Sequence, residues 1–363
     1  MSELSITAPP GPKLEDIAAH LIDLADPRFG TEVSFATDDF FAPKERLIDP
    51  APPVFYPERY DENGKWMDGW ESRRKRVPGH DWCVIRLGTP GRIRAFDVDT
   101  SFFTGNYPPQ AAIQGWDGRE EPDETTQWHD LVGKTDLKPN AHHLLEIEDD
   151  RIWRWLRLNI YPDGGIARLR IFGEIARNWT SISADETVDL AAAVNGGVGC
   201  AWSDAHYGRP ANILTPWQPV NMGDGWETAR RRGPGNDWCV IRLGHPGTIE
   251  RAEIATTFYK GNYPERASLR AVRLDHEPDT ESLGPVSAGW PELLPAQALG
   301  PDREHVFADE LRQSGPVSHI RLDIFPTAAS AGCACSAGKR PDGAGNCGPA
   351  IEHGGFRRLR RRH

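Results

Sequence analysis

The segment Asp-Gly-Trp-Glu at positions 68–71 is followed by a basic run, by Gly-His-Asp-Trp-Cys at 79–83, and then by Gly-Asn-Tyr-Pro at 105–108. The same order returns at 224–227, at 235–239 (with Asn236 in place of the histidine) and at 261–264. These residue types could do acid–base and recognition chemistry. Glu71, Glu227, Asp81 and Asp237 are carboxylates, and Arg74 and Arg230 are cations, all close to tryptophans. Charges are rarely buried unpaired, so they form either internal salt bridges or part of a site. Asn106-Tyr107 and Asn262-Tyr263 offer an amide with donors and acceptors plus a phenol, a set that can read a small polar ligand. Trp70, Trp82, Trp226 and Trp238 are most simply core or rim aromatics. Gly69, Gly79, Gly225 and Gly235 suit turns.

The elements that carry these residues are also written twice. Trp70 matches Trp226, Asp81 matches Asp237, Cys83 matches Cys239 and Asn106 matches Asn262, all at one offset with no gap between them. Weaker echoes extend the repeat. Residues 36–48 match 202–214, Trp128 matches Trp290, His143 matches His305, and Arg157 matches Arg321. A period this long means two copies of a whole domain rather than a solenoid. Within each copy the runs DWCVIRLG, RAFDVDTSFF, AEIATTFY, WLRLNIYP and IARLRIF are short, β-branched or aromatic, and bounded by Gly, Pro and Asn. They read as strands of an antiparallel sandwich. The expected fold is all-β: two tandem jelly-roll β-sandwich domains produced by internal duplication. The expected division is an N-terminal segment at 1–30 with a helical stripe over 13–25, a first repeat at 31–180 and a second at 195–326.

Length and charge narrow the partners. A chain of 363 residues is long enough for two domains with their own cores. Its net charge of -11 would be repelled by nucleic acid or an anionic membrane. There is no run of 18 apolar residues, and the first twenty residues lack a basic start and an apolar h-region, so the expectation is a cytoplasmic protein with no membrane span. Cys83, Cys200 and Cys239 then read as reduced, buried thiols. Cys333, Cys335 and Cys347 crowd into the C-terminal tail, where no second ligand pair with zinc spacing accompanies the CxC. The sequon at Asn178 has no meaning without secretion.

That tail interrupts the second repeat. RLNIYPDGGIARLRIFGE at 157–174 and RLDIFPTAASAGCACSAG at 321–338 run together as far as their prolines and then part. A GC-rich stretch encoding Asp-Gly-Gly-Val-Ser-Arg-Leu-Arg-Leu-Phe, read one base late, encodes Thr-Ala-Ala-Ser-Ala-Gly-Cys-Ala-Cys-Ser, the residues at 327–336. The expectation is a lost nucleotide after the codon for Pro326. The second sandwich would then lack its last strand and expose an edge, and 327–363 would be an out-of-frame, disordered tail.

The segments FATDDFFAP (35–43), DGWESRRKR (68–76), GHDWCVIRLG (79–88), TGNYP (104–108), YPDGGIARLRIFGE (161–174), SDAHYG (203–208), NMGDGWETARRR (221–232), NDWCVIRLG (236–244) and GNYP (261–264) resemble the allantoicase (allantoate amidinohydrolase) family of purine catabolism. The resemblance covers almost the whole chain up to Pro326 and implies two galactose-binding-like jelly rolls. It also implies an amidinohydrolase that converts allantoate to (S)-ureidoglycolate and urea, with a small-molecule substrate and room for homo-oligomeric assembly. Allantoate carries one carboxylate and two ureido groups on a single carbon. Arg74, Arg76, Arg230 and Arg232 are candidates for the carboxylate, because a guanidinium binds it bidentately. Glu71, Asn106, Glu227 and Asn262 suit ureido groups, with Tyr107 and Tyr263 beside them. His80, Asp81, Asp237 and His206 are further titratable groups, and Glu71 and Glu227 share the catalytic candidacy. His80 is specific to the first repeat. No cofactor is firmly expected. A divalent metal would be a common device for such hydrolysis, and Asp204 with His206 is the nearest thing to a ligand pair. The competing class is a non-catalytic small-ligand or carbohydrate-binding sandwich. A third outcome is an inactive product of the frameshift.

Overall fold

The computed structural model describes residues 4–183, 186–276, 279–326, 329–330 and 332–338, the last two segments as backbone. The first unit contains β1 (Ile22–Asp23), β2 (Glu32–Ala36), β3 (Trp70–Glu71), β4 (Asp81–Asp99), β5 (Gln110–Trp116), β6 (His129–Asp136), β7 (His142–Glu146), β8 (Trp153–Tyr161), β9 (Gly165–Ile166) and β10 (Arg168–Ile175). The second contains β11 (Thr187–Asp189), β12 (Val198–Trp202), β13 (Trp226–Glu227), β14 (Asp237–Gly247), β15 (Arg251–Ala255), β16 (Arg266–Val272), β17 (Glu292–Ala298), β18 (Glu304–Phe307), β19 (Val317–Phe325), β20 (Ala329–Ser330) and β21 (Gly332–Gly338). Both units are antiparallel sandwiches.

The long strand β4 explains how each sandwich closes. Its first half pairs with β2 and β8, and its second half pairs with β10 and β7, so one strand serves both sheets. Cys83, Ile85, Leu87, Ile93, Phe96 and Val98 along it are buried in the first core with Trp70, Trp153 and Ile171. The corner falls at Gly88, where an added Cβ would lie 2.1 Å from the Phe29 carbonyl oxygen. The second unit solves the corner in the same way at Gly244, whose Cβ would lie 1.8 Å from the Asn195 oxygen. There the long strand is divided into β14 and β15, giving sheets in the order β12-β14-β19-β16-β17 and β11-β21-β15-β18. Ile22 and Phe29 of the first unit also pack on the second core, and Phe29 stands edge-on to Trp217 with ring centroids 5.2 Å apart.

Two expectations are corrected. The helical stripe ends early: α1 spans Leu14–His20, after which Ile22–Asp23 pairs with β10 and Leu24 and Ala25 enter the core. A short apolar run has no decisive period, so the residues at 22–25 fit a helix face as well as a strand until their partner is known. The second unit also keeps its last strand. Gly332–Gly338 pairs with β15 and β11, and Ala329–Ser330 pairs with β13. The registers match the first unit, with Cys333 opposite Ile254 and Cys335 opposite Ala252, as Leu169 is opposite Val98 and Ile171 opposite Phe96. Ladder hydrogen bonds come from the backbone, so altered side chains do not forbid the pairing. The expected disorder at 339–363 lies outside the described residues. Cys83, Cys200 and Cys239 are buried, as expected.

In the first unit Leu169 and Ile171 are fully buried, and the matching register positions carry cysteines. The double change Cys333→Leu with Cys335→Ile is therefore expected to raise unfolding free energy by about 2 kcal/mol, since deleting core methylenes costs on this order per site. Urea melts of the two proteins measure it. An unchanged midpoint would mean that the second core does not close on this strand.

Candidate functional site

Each sandwich ends in a rim built from the duplicated motifs. In the first unit Trp70 is completely buried and its indole N–H donates to the Asp38 carbonyl at 2.8 Å. Strand alternation turns the next residue, Glu71, the other way. The two residues pair with β9, so that Glu71 lies opposite Gly165, and the Ala42 carbonyl receives the Glu71 N–H. Trp226 repeats the anchor, its indole donating to the Asp204 carbonyl at 2.8 Å, and Glu227 pairs opposite Ala329.

The Glu–Asn pair is the strongest shared feature of the two rims. Asn106 Nδ2 donates to Glu71 Oε1 at 2.7 Å, and Asn262 Nδ2 donates to Glu227 Oε1 at 2.8 Å. Glu71 is only 8 % exposed, whereas Glu227 is half-buried. Burial pushes the Glu71 carboxyl above the ordinary glutamate range, and the Asn106 hydrogen bond only partly offsets this. The Gly-Asn-Tyr-Pro loops enter from a left-handed phenylalanine in both units, Phe102 at φ 67° and Phe258 at φ 69°. Such a conformation is strained for a bulky residue. It is held by Asn140 Oδ1 and Asp302 Oδ1, each accepting the phenylalanine N–H at 2.8 Å. Tyr107 packs with Met67 and Phe103, and Tyr263 packs on Tyr259, so both rings serve the loop as apolar bodies.

The other expected residues separate. Asp81 is buried and accepts from Thr37 Oγ1 at 2.8 Å and from Lys75 Nζ at 2.5 Å. Asp237 likewise accepts from Ser203 Oγ and Arg231 Nη2, both at 2.8 Å. Both aspartates are therefore internal ion-pair members, the structural one of the two readings left open. The inward cations are Lys75 and Arg231, neither of them among the residues expected from the sequence. Arg74, Arg76, Arg230 and Arg232, their neighbours in the chain, are all exposed. The run is irregular backbone after Glu71 and Glu227, so no strand or helix period marks which cation turns back to the aspartate.

His80 belongs to a different surface. Its Nε2 lies 3.1 Å from Asn159 Oδ1, and its ring packs on Tyr161 with centroids 4.4 Å apart. Asn159 and Arg157 both donate to Gln114 Oε1, and the Arg157 guanidinium lies 4.8 Å over Trp128. In the second unit Asn236 donates to Asp323, and Arg321 binds Asp323 while donating to Gly284 O and Ser287 Oγ of α2 (Thr280–Ser287). His206 is exposed against Tyr207, and Asp204 is engaged by the Ala229 N–H. Among the described residues no three His, Cys, Asp or Glu side chains converge as a metal cage.

The raised Glu71 carboxyl makes a stability prediction. A glutamate whose folded pKa lies above its unfolded value destabilises the fold as pH rises through that window, by about 1.4 kcal/mol for each unit of separation. Glu71→Gln keeps the oxygen that faces Asn106 and removes the charge. It should be more stable than the parent at neutral pH, and the gap should close below about pH 4, where both states of the parent carry the proton. Paired urea melts at the two pH values decide it; a gap independent of pH would disprove the buried-charge account.

Comparisons with other proteins agree with the duplication. The family profile described as Allantoicase repeat matches residues 22–176 and again 188–330. A protein named probable allantoicase from Pseudomonas fluorescens SBW25 is 52 % identical over 306 residues, covering 84 % of this chain and 92 % of that protein. Probable allantoicase 1 of Burkholderia mallei is 48 % identical over 318 residues, covering 87 % and 94 %. The crystal structure of allantoicase from Saccharomyces cerevisiae superposes with a TM-score of 0.72 at 29 % identity, covering 92 % of this chain and all of that one. A second structure of allantoicase gives 0.71 at 32 % identity, covering 87 % and 92 %. With both repeats matched and about half the aligned residues shared with relatives covered over nearly their whole length, the chain belongs to the allantoicase family.

Proposed function

We propose that the chain hydrolyses allantoate to (S)-ureidoglycolate and urea, with the first rim's Glu71 as the acid–base group. Family membership supports the reaction; the buried Glu71–Asn106 pair is the observation that supports the residue. In the reaction one C–N bond at the central carbon breaks and one C–O bond forms. The incoming water loses a proton and the departing urea nitrogen gains one. A single carboxylate does both: Glu71 takes the proton from water and returns it to nitrogen, with no net change. A carboxylate pushed up by burial is a better base than a solvated one and returns its proton at a pH nearer neutral. Asn106, whose Nδ2 is committed to Glu71, presents its Oδ1 to a ureido N–H. Arg74 and Arg76, beside the rim, supply guanidinium forks for the substrate carboxylate. Glu227, Asn262, Arg230 and Arg232 form the corresponding set in the second unit.

Asp81, Asp237, Tyr107 and Tyr263 act in this reading by holding the loops, and His80 lies outside the reacting group. In this reading the first repeat, expected at 31–180, reaches back to Ile22, and the second, expected at 195–326, takes in Thr187–Asp189 and Gly332–Gly338 as well. The enzyme so read works in the cytoplasm on a free small molecule, with homo-oligomeric assembly open to it. Among the described residues no helix is long and apolar enough to cross a membrane. The lost nucleotide remains the account of residues 327–336, and the matched registers of β21 and β10 support it.

Urea released from allantoate by the purified chain tests the reaction. Glu71→Gln should lower kcat by about 10²- to 10⁴-fold, the range for a lost acid–base group. In the parent, kcat/KM should fall as pH drops through a value above the ordinary glutamate range, because the ionised form is the base. Full turnover in Glu71→Gln would remove Glu71 from the chemistry. No urea from the parent or from a version with residues 163–174 grafted at 327–338 would favour a binding role.

A further inference from the structure

The two rims share their motifs but not the support beneath them. In the first unit the Asp68-Gly69 turn that leads into Trp70–Glu71 rests on Arg168, which is 1 % exposed. Its Nη2 donates to Asp68 Oδ2 at 2.8 Å, its Nη1 to the Asp68 carbonyl at 3.2 Å and the Ala167 carbonyl at 2.7 Å, and its Nε to the Ala51 carbonyl at 3.0 Å. Asp68 Oδ2 also accepts the Val54 N–H at 2.8 Å. Gly69 lies so close to β9 that a Cβ there would be 2.3 Å from the Ile166 oxygen. One buried guanidinium thus fastens the approach to Glu71 from two sides.

In the second unit Gly332 lies opposite Ala255 in the register that Arg168 takes opposite Asp99, and a glycine has no side chain to place there. Asp224 instead accepts the Val220 N–H at 2.8 Å as part of a local cap, and Asn212 Nδ2 supports the Gly225 carbonyl at 2.9 Å. The glutamate of the rim that has the guanidinium is buried, and that of the rim without it is half-buried.

We infer that Arg168 is a positioning residue for Glu71: by clamping Asp68 it keeps the Glu71 carboxyl desolvated and in place, and the first rim alone has this device. Arg168 does not touch the reacting atoms. Its effect passes through the 68–71 turn, and the inference rests on Glu71 being the acid–base group of the proposed reaction.

The test compares Arg168→Met and Arg168→Lys with the parent. Loosening the turn lets water reach Glu71 and brings its carboxyl back towards the ordinary glutamate value of about 4.3. The acid limb of kcat/KM should therefore move to lower pH. Displacing the base should lower kcat by about 10- to 100-fold, as a misplacement of roughly 1 Å can, with KM within about threefold. A merely structural role would reduce the amount of folded enzyme and leave the limb where it was. Arg168→Lys fills the same channel and keeps a charge against Asp68 while losing the fork, so it remains a readable variant should the methionine variant not fold. The Glu71 carboxyl is also read without turnover, by infrared difference titration of each protein against the same protein carrying Glu71→Gln. The band should titrate above the ordinary range in the parent and within it in Arg168→Lys. An unmoved band and limb in Arg168→Lys would overturn the positioning role. Full turnover in Glu71→Gln would instead overturn the reading of Glu71 itself, so the two failures are distinct.

Discussion

The rims depend on a two-residue ladder. Trp70–Glu71 pairs with Gly165–Ile166, and Trp226–Glu227 pairs with Ala329–Ser330. Alternation along a strand then sets the direction of the carboxylate, since a tryptophan driven into the core forces the adjacent glutamate to the opposite side. Burying an indole contributes several kcal/mol only if its N–H is satisfied, and in both units the carbonyl of a loop aspartate receives it, Asp38 in one and Asp204 in the other. The hydrophobic effect therefore positions the charged residue indirectly. Its cost is carried by the asparagine loop, which offers one donor to a carboxylate that has lost its water.

The duplication makes this logic visible by varying one part at a time. Both units keep the tryptophan, the glutamate, the asparagine and the strained phenylalanine. They differ in the cation that meets the buried aspartate, Lys75 or Arg231, and in the hydroxyl beside it, Thr37 or Ser203. They also differ on the sheet face that holds His80 in the first unit, where Arg157 meets Gln114 and Trp128. In the second unit Arg321 is instead capped by α2. Substitutions that preserve charge and hydrogen-bond count pass between the units, while the face away from the rim has diverged in chemistry.

Much of this was legible in the sequence for physical reasons. A sandwich writes itself as short alternating runs, and the equal spacing from Trp70 to Asn106 and from Trp226 to Asn262 announces two copies before any strand is placed. The pairing of Glu71 with Asn106 was not legible, because it joins a residue of β3 to one on a distant loop that β9 brings alongside. The cations that meet the buried aspartates, Lys75 and Arg231, were not legible either, because they lie in irregular basic runs with no period to set direction. His80 draws attention as a titratable group, yet the strand turns it towards Asn159 and Tyr161 while Asp81 faces Lys75.

The last strand shows where side-chain reasoning stops and backbone reasoning begins. The residues after Pro326 share almost nothing with those after Pro162, and on hydrophobic pattern alone they make no strand. The sheet nevertheless offers β15 with N–H and C=O groups to be paired on one side, and an edge of that kind accepts any segment that arrives in register without a steric obstacle. Ala, Ser, Gly and Cys present no such obstacle. Chain direction is already set by β19, and the short β20 ladder on Trp226–Glu227 fixes the phase, so Gly332–Gly338 meets β15 at the positions that β10 takes on β4. Specific chemistry is another matter. A ladder can be rebuilt from small residues, but a buried guanidinium cannot, and the difference between Arg168 and Gly332 therefore falls on the glutamate each strand lies behind.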